Sequence, residues 1–131
     1  MDINAFLEGS NLSEFALWSP AAGELLLMGS DDLAYYHQVE IHYHGVEYAD
    51  APASFWKPRF REATEQETHQ FRMGEGAGTR AKLHVIEDSA DGAVATYLVA
   101  VERCALAIGM VYHYNRPSLQ PGERLAPWVR P

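Results

Sequence analysis

The stretch LAYYHQVEIHYH, residues 33–44, decides the fold because it carries the most regular pattern in the chain. Its apolar residues Val39, Ile41 and Tyr43 alternate with polar ones. A two-residue period is typical of a β-strand that has one buried face and one solvated face. We therefore predict a strand over 33–44 whose polar side chains, Glu40 among them, lie in water.

The segments on either side of this strand indicate a β-rich chain. Alternating or compact apolar runs predict further strands, and an Asp-Gly pair at 91–92 predicts a hairpin between two of them. A buried helix over 94–108 is the main alternative to strand there, because alanines are frequent in that segment. The predicted strands cover residues 24–28, 46–50, 82–87, 93–102 and 104–115. Short helices are predicted at 1–19 and 61–68.

Four prolines between residues 116 and 131 exclude a regular element there and predict an extended C-terminal arm. The expected fold class is therefore α+β and β-rich. We expect a single curved or barrel-like, mainly antiparallel sheet with one or two short helices. The length of 131 residues fits one globular domain, 1–131, with the arm at 116–131 as part of it.

The charge of the chain is distributed unevenly. Nine carboxylates precede the first basic residue, Lys57, whereas the later residues are close to neutral, and the net charge is −8. An acidic half disfavours nucleic acid and anionic membranes as ligands and favours a basic protein surface. A single cysteine, Cys104, cannot form an internal disulfide, and the N-terminus lacks the pattern of a secretory signal. We expect a soluble, cytoplasmic protein.

The leading functional hypothesis is a non-catalytic protein-interaction module that uses this acidic region. Clustered carboxylates steer association with a basic partner and suppress wrong partners. An inhibitor or an immunity-type protein, which masks a basic toxin or nuclease, is the specific form of this hypothesis. The residues predicted to bind the partner surround the strand at 33–44. They are Asp31, Asp32, Glu40, Glu47 and Asp50.

The histidines supply an alternative hypothesis, a β-barrel that binds a divalent metal or a small ligand. His42 and His44 leave the same face of one strand about 7 Å apart. Together with Glu47 they are similar to the first metal motif of cupins, which are double-sheet β-rolls. The resemblance implies a bound zinc, iron or manganese ion. The resemblance is limited to these residues, because no Pro-x-Gly precedes His113, the histidine that would belong to the second cupin motif. The predicted ligands are His42, His44, His84 and His113.

A third hypothesis is a structural or assembly subunit, in which the proline-rich arm reaches a second copy to form a homodimer. The remaining motifs favour ordinary structural roles. The glycine-rich loop at 73–80 contains Glu75 and lacks a Walker ending, which disfavours phosphate binding. Cys104 is predicted to be buried and unreactive. The basic cluster formed by Lys57, Arg59 and Arg61 is too small for nucleic-acid binding.

Overall fold

The computed structural model describes residues 3–78, 81–88 and 93–129. Within these ranges, two short helices and ten strands follow one another. In chain order they are α1 (Ile3–Glu8), β1 (Glu14–Ala21), β2 (Glu24–Ser30), β3 (Tyr36–His44), β4 (Tyr48–Ala49), β5 (Ser54–Trp56), β6 (Arg59–Glu62), α2 (Glu65–Met73), β7 (Lys82–Asp88), β8 (Ala95–Val101), β9 (Arg103–Tyr112) and β10 (Arg124–Leu125).

The strands form two sheets rather than the single sheet that the sequence predicted. The larger sheet has the strand order β10-β9-β3-β2-β1-β5, and the smaller has the order β4-β8-β7-β6. Every pairing is antiparallel except the short parallel pairing of β10 with β9. Neither sheet closes into a barrel, so the barrel-like form of the prediction is wrong. The β-rich α+β class and the mainly antiparallel pairing are confirmed.

The strand predicted from residues 33–44 lies at the centre of the larger sheet. Val39, Ile41 and Tyr43 on β3 are buried, as their alternation predicted. They pack in one core cluster with residues of the smaller sheet, including Ile86 and Val99. Burying a side chain of this size contributes about 1.5–3 kcal/mol, so contact across the two sheets stabilises the fold.

The helix predicted over 1–19 is shorter than expected. It is helical only at α1, Ile3–Glu8, and residues 14–21 form β1. Phe15 and Leu17 on β1 pair with Gly29 and Leu27 on β2. A long antiparallel pairing outweighs the weak local helix preference of such a segment, because each residue gains backbone hydrogen bonds and burial together.

The smaller sheet and α2 follow the predicted pattern with shifted boundaries. The helix expected at 61–68 begins after Thr64, whose side chain accepts the Glu67 N–H, while Glu67 accepts the N–H of Thr64. This reciprocal capping fixes the start of α2. The segment 94–108 forms strands rather than a helix. The predicted Asp-Gly turn at 91–92 lies outside the described residues, although Asp88 and Ala95 on either side are paired.

The C-terminal arm folds back onto the larger sheet of its own chain. After β9 the chain returns as β10, and the Ala126 N–H donates to the carbonyl of Tyr112. The Trp128 ring then meets the Trp18 ring edge-on, with 4.9 Å between centroids. No helix in the described ranges has the length and apolar character needed to cross a membrane.

Candidate functional site

An exposed surface rich in tyrosine and aspartate lies beside the start of β3. We call it the acid–tyrosine surface, and it consists of Asp31, Asp32, Tyr35, Tyr36 and Tyr114. Tyr35 is 58% exposed. Its ring meets the Tyr114 ring edge-on, with 6.4 Å between centroids. The hydroxyl of Tyr36 donates to Oδ1 of Asp31 over 2.7 Å. The tyrosines therefore hold each other and one carboxylate in place while they face solvent.

This surface has a negative electrostatic character. The pKa of Tyr36 is raised, first by its hydrogen bond to Asp31, then by burial and by the charges of Asp31 and Asp32. The nearby cation, Arg116, places its guanidinium 4.3 Å from the centroid of the Tyr112 ring. It also donates to the hydroxyl of Tyr114 over 3.3 Å. Arg116 is thus held against aromatic rings and forms no ion pair with the two aspartates.

The other predicted acidic residues do not belong to this surface. Glu47 and Asp50 follow the opposite end of β3, a strand of nine residues. At about 3.3 Å per residue, that length separates the two groups by roughly 25 Å or more. Asp50 also has a structural role, because its Oδ1 accepts the N–H of Leu98 over 2.7 Å. The single acidic patch that the sequence predicted is therefore two separate groups.

The prediction that the Glu40 side chain on β3 lies in water is wrong. It is only 2% exposed. Its Oε2 lies 2.7 Å from Nε2 of His37, its Oε1 lies 3.0 Å from Nε2 of His42, and Arg124 of the arm also donates to Oε1. Burial alone would raise the pKa of this carboxyl, but hydrogen bonds from His37, His42 and Arg124 outweigh it and lower the pKa to about 2. Glu40 is therefore unavailable to a partner.

His37 connects Glu40 to His113 through its two ring nitrogens. The Leu33 carbonyl can only accept, so Nδ1 of His113, at 2.9 Å, carries a proton. The ionised Glu40 can only accept, so Nε2 of His37 carries another. Nδ1 of His37 and Nε2 of His113 are 2.7 Å apart, so the two rings extend the hydrogen-bonded chain that begins at Glu40. Burial, and after it the neighbouring His37, lower the pKa of His113, while the hydrogen bond to the Leu33 carbonyl opposes this shift.

The four histidines predicted as metal ligands are distributed over two faces of the larger sheet. His42 and His44 lie on the face of β3 that carries Glu40, and their rings are stacked with 6.1 Å between centroids. His113 is engaged with His37. His84 lies on the opposite face, against Tyr43. Within the described ranges, no group of three or more His, Cys, Asp or Glu side chains is arranged to hold a metal ion.

A cleft of about 660 Å³ opens between the two sheets on the side of β9 and β6. Its floor is apolar, and five polar side chains stand among its walls. The floor includes Ile41, Tyr43, Phe60, Val85 and Leu106, and the polar side chains at the walls are Asn4, Arg61, Glu62, His84 and Cys104. Arg61 is held by Glu67 through contacts of 2.7 and 3.0 Å. The volume lies within the range of small-molecule sites.

Cys104 faces this cleft rather than the protein core. The Sγ atom of Cys104 lies 3.8 Å from Nε2 of His84. Partial burial raises the pKa of the thiol and lowers the pKa of the imidazole, so both groups are neutral at rest. The predicted burial of Cys104 is wrong because β9 lies at an open side of the molecule. Its predicted low reactivity agrees with the raised pKa.

His37 and Arg124 are the members of these sites that the sequence reasoning missed. Arg124 and Glu40 are 84 positions apart in the chain, so no local spacing predicts their contact. His37 stands three positions before Glu40 on β3, which is a weak signal by itself. No protein-family model, curated protein or solved structure is detectably similar to this chain. The functional argument therefore depends on the geometry alone.

Proposed function

We propose that this protein is an interaction module that binds a basic protein partner through the acid–tyrosine surface. The observation that carries the proposal is the exposed contact between Tyr35 and Tyr114 beside two aspartates. Tyrosine is enriched at protein interfaces because it combines a large apolar area with a hydrogen-bonding hydroxyl and few rotatable bonds. Carboxylates next to such rings add long-range attraction for a cationic surface.

A partner of this kind need only present lysines or arginines at the spacing of the surface. Asp31 and Asp32 leave the chain at the turn between β2 and β3, and Asp32 accepts the Ala34 N–H over 3.3 Å. The turn is therefore fixed before a partner arrives, which lowers the entropic cost of binding. An inhibitor that covers the basic substrate surface of a nuclease or toxin is the specific form of the proposal.

The test removes two negative charges from each of two matched pairs of residues. Asp31→Asn with Asp32→Asn removes two charges from the surface and keeps the side-chain oxygens that hold the turn. Glu47→Gln with Asp50→Asn removes two charges at the other end of β3. Proteins captured from native lysate by the unmodified chain are purified, and their affinity for each variant is measured by calorimetry at two salt concentrations.

We expect the first pair to weaken binding about tenfold or more and to reduce its salt dependence. The second pair should leave the affinity within about threefold, since such distant charges are largely screened. Equal affinity of both double variants for the captured partner rejects the acid–tyrosine surface. The absence of any captured protein with a basic surface rejects the proposal as a whole.

The cleft favours a second candidate function, the binding of a small apolar ligand. An apolar floor with a few polar groups at the walls is the usual composition of a ligand site. Here Cys104 reports occupancy, because its thiol faces the space that a ligand would fill. Medium-chain fatty acids serve as the probe, and they should slow alkylation of Cys104 by iodoacetamide in a saturable manner. An unchanged alkylation rate with every chain length removes this candidate.

A further inference from the structure

Strand β9 presents an open edge on the cleft side of the larger sheet. One side of β9 pairs with β3 along the strand, whereas the other side pairs only at Val111 and Tyr112, with β10. Among the described residues, no strand pairs with this second side between 103 and 110. The sequence of that edge is RCALAIGM, which has one charge at its first position and no proline. Ile108 on this edge is 48% exposed.

The other sheet edges are short or blocked. β4 and β5 have two and three residues. The edge of β6 is covered by Asn4 of α1, whose Oδ1 accepts the Phe60 N–H over 2.9 Å and whose Nδ2 donates to the Phe60 carbonyl. Arg59, Arg61 and Glu62 add charges to β6. Edge strands are normally protected in these ways because unpaired backbone groups recruit other strands. The edge of β9 lacks such protection, which indicates that a strand covers it.

We propose that β9 pairs antiparallel with β9 of a second copy of this chain, around a two-fold axis at Leu106. A two-fold axis perpendicular to the sheet leaves the cleft faces of both copies on the same side of the joined sheet. In an antiparallel pair such an axis lies midway between the two copies of one residue, so that this residue pairs with itself. Pairing around Leu106 places Cys104 opposite Ile108 of the second copy on the cleft face. On the other face it places Ala105 opposite Ala107. Every one of these pairs is apolar or small.

The charges along the edge favour a second copy in this register. Arg103, the one charged residue of the edge, comes opposite Gly109 of the second copy. The carbonyl oxygen of Gly122 lies 3.4 Å from the Cβ position of Gly109, and Glu123 follows Gly122 in the chain. Hydrogen bonds from the Gln120 N–H and the Tyr112 hydroxyl lower the pKa of Glu123, so it is ionised. The arginine therefore arrives at the segment that carries this carboxylate.

Pairing around Ala105 is less favourable. It would place Arg103 opposite Ala107, and Ala107 is the residue paired with Glu40 on β3. Arg124 already donates to Glu40 there. Two guanidinium groups would then lie close together, which is destabilising. Pairing around Leu106 avoids this repulsion and also stops before β10, which occupies the end of the edge.

The resulting dimer joins the larger sheets of two chains into one continuous sheet. The acid–tyrosine surface lies beside the end of β9, because Tyr36 pairs with Tyr112. Since the two β9 strands run in opposite directions, the two acid–tyrosine surfaces face away from each other. At about 3.3 Å per residue they are roughly 40 Å apart. Such a dimer holds two binding surfaces that are too distant to share one small partner.

The first test measures molecular mass by light scattering during gel filtration, without any partner present. We expect the unmodified chain to have twice its mass of 14.7 kDa. Ile108→Lys, which adds a charge to the edge, should give a monomer with an unchanged circular dichroism spectrum. Met73→Lys is the matched control, because Met73 is 75% exposed on α2, away from β9, and this variant should remain a dimer. A monomeric unmodified chain overturns the proposal, as does a dimer that Ile108→Lys leaves intact.

The second test fixes the register with the native cysteine. Ile108→Cys should form a covalent dimer when treated with copper phenanthroline, because Cys104 of one chain then faces residue 108 of the other. The oxidant takes the two thiol protons and two electrons as the S–S bond forms. Residues 104 and 108 of one strand are about 13 Å apart, too far for a bridge within the chain. The unmodified chain and Cys104→Ser with Ile108→Cys should give no covalent dimer. An uncross-linked Ile108→Cys protein overturns the register and with it the proposed interface.

Discussion

Glu40 is a carboxylate that the fold can bury only because three donors reach it. An isolated carboxylate in the interior costs several kcal/mol. Here hydrogen bonds from His37, His42 and Arg124 provide compensation. The hydrogen bonds join β3, the end of β9 and the arm at one point. The network therefore couples the docking of the arm to the ionisation of a single residue.

The first prediction concerns Glu40 itself. Glu40→Gln keeps the size of the side chain but removes the negative charge that His37, His42 and Arg124 face. We expect the free energy of unfolding to fall by about 2 to 4 kcal/mol at neutral pH, the cost of breaking a buried charged pair. Urea denaturation followed by tryptophan fluorescence measures this change. Glu65→Gln on the exposed start of α2 is the control and should cost less than about 1 kcal/mol. Equal effects of the two variants would contradict the role assigned to Glu40.

The second prediction concerns the thiol of Cys104. Burial raises its pKa, the charge of Lys82 lowers it, and the charge of Glu62 raises it. Since only the thiolate reacts, alkylation by iodoacetamide at neutral pH should be slower than for a cysteine in an unstructured peptide. Lys82→Ala should slow the reaction further, whereas Glu62→Gln should accelerate it. Reaction rates measured over a range of pH give the result. A rate that neither substitution changes would show that Cys104 does not sense these charges.

At the scale of elements, the C-terminal arm shows why local patterns predicted the strand β3 but not the burial of Glu40. The alternation of Val39, Ile41 and Tyr43 correctly identified β3 because burial of one face is a property of the strand alone. The burial of Glu40 on the other face depends on Arg124, which arrives from far along the chain. A local sequence pattern contains no information about a contact with so distant a residue. The same reasoning applies to residues 14–21, whose strand form is decided by pairing with β2.

The acid–tyrosine surface could be predicted in part. Asp31 and Asp32 were selected because they stand beside a clear strand, and the structure places them on an exposed turn. The approach of Tyr114 to Tyr35 requires the end of β9 to return beside the start of β3, which no local pattern specifies. Glu47 and Asp50 were grouped with them by position in the chain alone. Sequence proximity across a strand of nine residues does not imply spatial proximity.

The third prediction belongs to α1 and the edge it covers. Asn4 both accepts from and donates to the backbone of Phe60, so it replaces the strand that β6 lacks. Asn4→Ala removes two hydrogen bonds from partly buried backbone groups and should lower the free energy of unfolding by about 1 to 3 kcal/mol. Hydrogen exchange should also become faster at the Phe60 amide. Asn11→Ala, at an exposed position outside α1, is the control. Unchanged protection of the Phe60 amide would contradict the edge-covering role.

At the scale of the whole molecule, four groups make the stability depend on pH with one sign. Burial lowers the pKa of His84 and of His113 below the ordinary value of 6.5. Hydrogen bonds lower the pKa of Glu40 and of Glu67 from 4.5 to about 2, those of Glu67 coming first from Arg61. In each case the unfolded chain binds a proton at a higher pH than the folded chain does. Acid therefore always favours the unfolded state through these groups.

The fourth prediction is a decrease of stability with falling pH in two stages. As the pH falls through about 6.5, the unfolded chain takes up protons at the two histidines before the folded chain does, so stability begins to decrease there. Below about pH 4.5 the two carboxyls protonate in the unfolded chain, and their stabilising contribution is lost progressively toward pH 2. Urea midpoints at about pH 7.5, 5.5 and 3, measured at one protein concentration, give the profile. Glu40→Gln should reduce the loss of stability in the lower stage, because glutamine at position 40 does not titrate whereas Glu67 still does. The decrease in the upper stage should remain. Stability that is constant from neutral pH to pH 3, or that rises in acid, would show that these four groups are not held as their contacts indicate.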